Sequence, residues 1–353
     1  SASLWGDNYG SADTGRVQGN ALVTLADLTG RGDRTRFTAG GSEGQKFGQV
    51  EVSAPLGASG FTAHASYGYL TYRNIDALGR LGGLEGFARH AGAGLDYGLV
   101  RSRRLNLQLS AGIHWKALVD DAITGRLQDK RVQSGNVALA GDLRDTLGGG
   151  GLTSWSLDWT WGNLDLSRVQ AALAADAAGL KTQGNYQRLS AGLGRLQALP
   201  GTFSLFTHIY GQWASKNLDS SEDFALGGPY GVRGWPVGAG RGDMGLLGMA
   251  ELRYDVPAPT LSGLVQLSAF LDGGRVRVNR NPNGVPLPTA CGCNVYDLAG
   301  AGLGMRWTRK DLSLAAFYAQ GLGNNPGRSS VNGVYTEDRA SRRQFWLQGA
   351  IRF

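Results

Sequence analysis

The sequence predicts an all-β protein, a 16-stranded antiparallel transmembrane β-barrel with one long extracellular loop folded into the lumen. Three observations predict this fold class. Apolar residues recur at every second position over long segments, glycine makes up 57 of the 353 residues, and short breaks alternate with long ones. The chain also lacks the run of about eighteen consecutive apolar residues that indicates a transmembrane helix.

The alternation is clearest over residues 105–117, where every odd position is apolar and every even position is small or polar. A period of two places these sets on opposite faces of a strand. The same pattern recurs over 155–161, 203–209, 265–272 and 344–353. Because nearly every long segment has an apolar face and a polar face, a closed barrel with lipid outside and a polar lumen accounts for both.

The breaks between strands support the same topology, since outer-membrane barrels alternate short periplasmic turns with long external loops. The predicted short turns are 29–33, 57–60, 101–104, 148–151, 200–202 and 309–311, and the predicted long loops are 74–87, 167–184, 219–245, 279–295 and 324–340. The predicted strands lie near 1–8, 15–27, 34–41, 47–56, 61–73, 88–100, 105–121, 131–146, 152–166, 185–199, 203–218, 246–256, 264–278, 296–308, 312–323 and 341–353. Residues 1–353 are thus predicted to form one barrel domain with both termini on the periplasmic side.

Charge, cysteine and histidine usage argue against several other classes of protein. The net charge of +7 is spread thinly and forms no basic patch with aromatics, so no nucleic-acid partner is expected. Cys291 and Cys293 have no histidine near them, and a local disulfide is favoured over two free thiols. By parity His64, His114 and His208 face the lumen, and His114 has only Gly112 and Lys116 beside it on that face, without a serine and carboxylate. We therefore expect no catalytic residues, no metal and no cofactor.

The loop at 219–245 is the exception among the glycine-rich breaks. Such an insertion is ordinarily a flexible external loop. This one contains four large apolar side chains, namely Phe224, Leu226, Val232 and Trp235, which disfavour water. We therefore expect the loop to fold into the lumen.

A loop inside the lumen would bring Arg233 away from bulk water, so its guanidinium needs an anion. The lumen face of the strand at 264–278 offers Asp272, with Phe270 beside it and Gly274 leaving room. The chain between the preceding strand and Arg233 is long enough, when extended, to reach that position. We expect Arg233 and Asp272 to pair.

These segments also resemble a known superfamily. "GGPYGVRGW" with "GRGDMG" (227–245) is similar to the sixth-loop motif of the outer-membrane insertases and secretion pores, and "FLDGG" (270–274) is similar to its partner strand motif. The segments "DNYGSADTGR" (7–16), "LTGRGD" (28–33), "SYGYLTYR" (66–73) and "LDYGLVRSRRLNL" (95–107) resemble the transporter subunits (TpsB) of two-partner secretion systems, the haemolysin and filamentous-haemagglutinin exporters.

The resemblance implies a monomeric outer-membrane pore, not an enzyme, surrounded by lipid and lipopolysaccharide. Such a pore threads a large unfolded β-helical exoprotein of haemolysin, adhesin or contact-dependent toxin type to the cell surface without ATP. The family also has an N-terminal plug helix and two periplasmic POTRA domains, which these 353 residues do not include.

Residue by residue, the resemblance matches Arg233 to the loop arginine and Asp272 to its strand partner. Trp235 stands where the family more often has tyrosine or phenylalanine. The other matched positions are Val232, Gly234, Asp243 and Gly245 in the loop and Phe270 and Gly274 on the strand.

Two alternatives stay open. An insertase of the same superfamily, which folds other barrels, would have a weak seam between its first and last strands. A general diffusion porin would explain the barrel and the charge, but not the paired loop and strand motifs.

Overall fold

The computed structural model describes residues 1–257, 262–287, 289–329 and 341–353. Sixteen antiparallel strands close into one barrel in which each strand pairs with its sequence neighbour and the last pairs with the first, which confirms the predicted fold class. We number them β1 (Ala2–Asp7), β2 (Gln18–Ala26), β3 (Arg34–Gly41), β4 (Gln45–Pro55), β5 (Phe61–Arg73), β6 (Glu85–Arg101), β7 (Leu105–Ala122), β8 (Gly125–Asp145), β9 (Gly151–Asp165), β10 (Gly184–Ala198), β11 (Phe203–Ala214), β12 (Met244–Asp255), β13 (Leu264–Arg277), β14 (Val295–Arg309), β15 (Leu312–Leu322) and β16 (Arg343–Arg352).

Two strand ends differ from the prediction by several residues. β8 begins at Gly125 rather than near residue 131, because it joins β7 through a tight turn at residues 123–124. Charged residues occupy both faces of this hairpin, so the alternation of apolar and polar side chains disappears there. β11 ends at Ala214, and residues 215–218 already belong to the following loop.

Short helices occur in two extracellular loops, α1 (Ala77–Gly82) and α2 (Gln170–Ala178). Within the described ranges, no helix combines the length and the apolar character needed to cross a membrane. Residues 330–340, which complete the predicted loop at 324–340, lie outside the described residues.

The side chains on the outer wall are the apolar set of the alternation. Ile113, Leu271 and Leu303 are 69%, 57% and 64% exposed, whereas Asp272, the next residue after Leu271, is 1% exposed on the lumen side. Aromatic pairs such as Phe61 with Tyr97 lie near the periplasmic turns, where amphipathic rings are favoured at a membrane boundary. This distribution suits a barrel with lipid around it.

The segment between β11 and β12 lies inside the barrel and packs with the barrel wall in an apolar cluster. The loop contributes Phe224, Leu226, Val232, Trp235 and Ala239, and the lumen face of β12–β14 contributes Leu247, Val276, Tyr296 and Leu298. Two short strands, Phe224–Ala225 and Arg241–Gly242, pair at the base of the loop. The apolar side chains of the loop thus pack against the barrel wall, away from water.

Candidate functional site

The tip of the loop is a compact turn. The Val232 N–H donates to the Leu226 carbonyl at 2.7 Å, and the Trp235 N–H donates to the Val232 carbonyl at 3.1 Å. Gly234 lies directly against β15, since a Cβ at this position would come within 2.6 Å of the Gly321 backbone nitrogen. Only glycine fits there, and the close approach brings residues 232–235 onto the wall.

Arg233 makes a two-pronged ion pair with Asp272. Its Nε donates to Asp272 Oδ2 and its Nη2 donates to Asp272 Oδ1, both at 2.8 Å. The backbone N–H of Arg233 donates to the same carboxylate at 3.2 Å. Two parallel bonds between a guanidinium and a carboxylate are the strongest geometry available to such a pair. The contact therefore fixes both the side chain and the backbone of the loop tip.

Aromatic rings enclose the same guanidinium. The Arg233 Cζ lies 3.4 Å from the centroid of the Phe270 ring and 5.7 Å from that of Phe317. Trp346 Nε1 donates to the Arg233 carbonyl at 2.9 Å. Because stacking on a ring face favours a desolvated cation, the rings compensate part of the cost of burying Arg233.

A second carboxylate, that of Glu251 on β12, completes the cluster. Arg233 Nη1 donates to Glu251 Oε2 at 2.6 Å. The other oxygen, Glu251 Oε1, accepts from Arg306 Nη1 at 2.6 Å and from Arg253 Nε at 2.9 Å. Both acidic side chains thus have a cationic partner, as buried charges require. We refer to Arg233, Asp272, Glu251 and Arg306 as the anchor cluster.

The sequence did not point to Glu251, Arg306, Phe317 or Trp346. Charged residues are common on the lumen face of a barrel strand, so nothing in the sequence around Glu251 indicates that it contacts Arg233. The pairing of β12 with β13 would have identified Glu251 as a candidate, because it lies opposite Phe270, two positions from Asp272.

Trp235 occupies a slot in the wall that glycines create. Its side chain is fully buried, and its Nε1 donates to the Ala299 carbonyl at 2.8 Å. A Cβ on Gly321 would come within 2.8 Å of the indole ring, and a Cβ on Gly300 would come within 3.0 Å of the Gly234 nitrogen. The small residues of these two strands leave the space in which the loop tip lies.

The remaining predicted residues have distinct places. Asp243 accepts from the Leu218 N–H at 2.8 Å, which ties the two ends of the loop together, and from the N–H of Arg280 in the loop between β13 and β14. A Cβ on Gly245 would come within 2.3 Å of the Phe224 ring, and one on Gly274 would come within 2.4 Å of Leu226. Cys291 and Cys293 form a disulfide in the loop between β13 and β14.

The start of the loop contacts a different part of the barrel, which the sequence did not predict. Glu222 accepts from Lys116 on β7 at 2.6 Å and lies 2.9 Å from Arg188 on β10. Asp219 accepts from Lys130 on β8 at 2.8 Å. The loop therefore spans the lumen between two groups of strands, β7–β10 and β12–β16.

His64 lies near a carboxylate that also binds a serine, but not in the order that activates a nucleophile. His64 Nδ1 lies 3.2 Å from Asp96, and Ser110 Oγ donates to the other oxygen of the same carboxylate at 2.6 Å. Nucleophile activation needs the imidazole between hydroxyl and carboxylate, whereas here the carboxylate lies in the middle. His90 also lies on the lumen side, opposite Gly68, which the parity argument omitted.

Asp223 gives the loop a pH dependence. Burial, and after it the nearby Asp243, raise the pKa of its carboxyl from 3.8 to about 7. Arg241 and Lys130 act in the opposite direction, and Asp219 acts with Asp243. Because the folded pKa exceeds the unfolded one, the stabilisation is complete below about pH 4 and is lost as the pH rises through about 7.

We expect protection of the loop amides from hydrogen exchange, corrected for the intrinsic rate, to fall as the pH rises from about 4 to about 7 and to level off above that. The Asp223→Asn variant cannot lose a proton at this position, so its corrected protection should stay level over that range. An equal fall in the variant would assign the pH dependence to another group.

Comparison with known proteins finds one matching family and several longer relatives. The family described as "Haemolysin secretion/activation protein ShlB/FhaC/HecB" matches residues 1–307. The heme/hemopexin transporter protein HuxB of Haemophilus influenzae strain 86-028NP is 26% identical over 352 residues, which cover 97% of this chain and 58% of the relative. The protein of the same name from strain Rd is also 26% identical, over 351 residues. The chain thus spans little more than half the length of these relatives.

Solved structures share the fold. CdiB from Escherichia coli matches with a TM-score of 0.78 at 21% identity, over 100% of this chain and 62% of the other. CdiB from Acinetobacter baumannii matches with a TM-score of 0.73 at 18% identity, over 99% of this chain and 59% of the other. BamA from Haemophilus ducreyi lacking POTRA domains 1–3 has a TM-score of 0.66 at 13% identity, over 100% and 70% respectively.

Proposed function

The chain belongs to the haemolysin secretion/activation protein family ShlB/FhaC/HecB, and from this premise we propose that it is the barrel of a two-partner secretion pore. The family and the 16-stranded fold are those of bacterial outer-membrane proteins. The substrate is a large unfolded exoprotein of the TpsA type, which crosses the lumen and folds into a β-helix at the cell surface. No ATP and no cofactor take part, and the pore acts as a monomer without enzymatic activity.

The observation that carries the proposal is the anchored loop. Arg233 is 3% exposed and bonded to two carboxylates, so the tip lies fixed against β12–β15. The start of the loop is held separately by Lys116, Arg188 and Lys130 on the other side. We propose that the anchor cluster keeps the tip on its wall while the loop start moves aside for the passing chain.

The contacts differ in a way that supports this division of roles. At the tip, Arg233 is buried with both of its carboxylate partners and stacks on the Phe270 ring. Of the cations that hold the loop start, Lys116 and Arg188 are 31% and 25% exposed, and Lys130 is 8% exposed. Water competes for an exposed cation, so the Lys116 and Arg188 pairs release at lower cost than the Arg233 pair.

The domain organisation belongs to the same proposal. We propose that residues 1–353 constitute the barrel domain and that the full-length protein recruits its exoprotein through periplasmic POTRA domains. A plug helix and lipopolysaccharide at the outer wall complete the expected assembly.

The seam between the first and last strands favours a closed pore over an insertase. β1 and β16 are in register from Ser3 with Arg352 to Asp7 with Gln348. Beyond this ladder, Asn8 Nδ2 donates to the Phe345 carbonyl at 2.8 Å, and Asn8 Oδ1 accepts from the Leu347 N–H at 2.9 Å. The seam is therefore hydrogen-bonded along the whole of β1.

The direct test is secretion. Cells that produce the full-length protein together with its cognate exoprotein should release that exoprotein, and cells without the pore should retain it. Equal release in both would contradict the proposal. A loss of other outer-membrane barrels on depletion would favour the insertase, and small-solute uptake without secretion would favour the porin.

A further inference from the structure

The outer wall of the barrel has a groove with a volume of about 990 Å³ across β6–β10, separate from the lumen and the loop. Its polar rim lies on adjacent strands, where the register pairs Gln133 on β8 with Asn163 on β9 and Asn163 with Asn185 on β10. Gln187 follows on β10, opposite Trp161. All these side chains are exposed on the face that elsewhere carries apolar residues such as Ile113.

Amides are costly on a lipid-facing wall unless something bonds to them. Each amide side chain has two N–H donors and an oxygen with two lone pairs, and hydrocarbon satisfies none of these. Asn163 Nδ2 donates to Asn185 Oδ1 at 2.7 Å, which uses one donor of the first and one lone pair of the second. The rim thus retains hydrogen-bonding capacity directed outward.

An aromatic surface lies directly below this rim. A Cβ on Gly135 would come within 2.9 Å of the Trp161 ring, so the glycine lets the indole lie flat against the sheet. Trp161 remains 44% exposed, and Trp159 lies beside it with ring centroids 5.9 Å apart. Because β9 leads into an extracellular loop, Asn163 is on the extracellular side of Trp161.

The chemistry of the lining defines the ligand. Among the described residues that line the groove, none is aspartate, glutamate, lysine or arginine. A phosphate or an ammonium group therefore finds no counter-charge there. A sugar ring fits instead, because its hydroxyls both donate and accept hydrogen bonds and its C–H face packs on an indole.

We propose that this groove binds the sugar headgroup of a glycolipid in the outer leaflet, with a ring on Trp161 and its hydroxyls bonded to Asn163 and Asn185. The groove is continuous with the apolar outer wall, which supports a lipid rather than a soluble sugar, because acyl chains then lie along Ile113 and the neighbouring strands. The inference depends on the membrane location of the barrel and not on secretion.

The test is lipid binding by the full-length protein, purified in a polyoxyethylene detergent that has no sugar headgroup. Rough lipopolysaccharide and phosphatidylglycerol are titrated separately and counted by native mass spectrometry. The double variant Asn163→Leu with Asn185→Leu should bind lipopolysaccharide about tenfold more weakly, which corresponds to ~1.4 kcal/mol. Gln187→Leu should weaken binding in the same direction.

The matched control is Gln320→Leu, which removes an amide from β15, outside the strands that form the groove, and should leave binding unchanged. Unaltered lipopolysaccharide affinity in the double variant would overturn the proposal. The proposal would also be overturned if phosphatidylglycerol bound as tightly as lipopolysaccharide and lost the same factor in the double variant, because that lipid has no sugar ring to pack on Trp161.

Discussion

Replacing Arg233 with alanine in the full-length protein is expected to lower export of the exoprotein at least about tenfold while the barrel still assembles. The variant leaves Asp272 and Glu251, which are 1% and 2% exposed, without the guanidinium that bridges them. Removing one partner of a buried ion pair typically costs about 3–5 kcal/mol, because the other charge stays buried. Glu251 retains Arg306, so the larger penalty falls on Asp272. The tip should therefore leave the wall.

Arg275→Ala on the same strand as Asp272 is the matched control. Arg275 pairs with Asp297 at 2.7 Å, but the two side chains are 68% and 60% exposed. Exposed pairs contribute about 0–1 kcal/mol, so export should be unchanged. Immunoblots of the medium measure export, and heat-modifiable migration measures barrel assembly. Normal export by the Arg233→Ala variant would show that its ion pair has no role in secretion.

Charge reversal should give an ordered series of export levels. Arg233→Asp and Asp272→Arg should each abolish export, because each places like charges together in a buried site. The double reversal restores the attraction between the two positions but brings a carboxylate to Glu251, which lies 2.6 Å from Arg233 Nη1. Export should therefore recover only in part, and adding Glu251→Gln should raise it further.

Two outcomes would show which of these contacts matters for export. A double reversal no better than either single change would show that Arg233 and Asp272 do not pair during function. A triple variant no better than the double would show that Glu251 lies outside the working cluster. Glu251→Gln alone is the reference for the effect on Arg306 and Arg253, which share its other oxygen.

The barrel was predictable because lipid and lumen impose a period of two on every strand. Leu271 and Asp272 are neighbours in sequence yet lie on opposite faces, as the alternation requires. The position of the loop followed from its apolar side chains, and the need of Arg233 for an anion narrowed the choice of partner. These inferences needed only the local sequence pattern and the rule that a buried arginine requires an anionic partner.

Contacts set by register and by the path of the loop were not predictable in this way. Trp346 bonds to Arg233 across 113 positions, and no local pattern connects them. Glu222 pairs with Lys116 on β7 and with Arg188 on β10, two distant positions that no motif connects with it. The predicted β7–β8 hairpin was too short. Its extracellular half has polar side chains on both faces of the sheet, so the alternation that indicates a strand is missing there.

The most direct test of the central claim is the accessibility of the loop tip in intact cells. With Cys291 and Cys293 changed to serine, single cysteines are introduced as Val232→Cys, at a fully buried position, and Tyr230→Cys, at a position 75% exposed. A membrane-impermeant maleimide should label Tyr230→Cys rapidly and Val232→Cys at least about tenfold more slowly. Adding Arg233→Ala should make Val232→Cys label as fast as the exposed position. Rapid labelling of Val232→Cys with Arg233 in place would contradict an anchored loop.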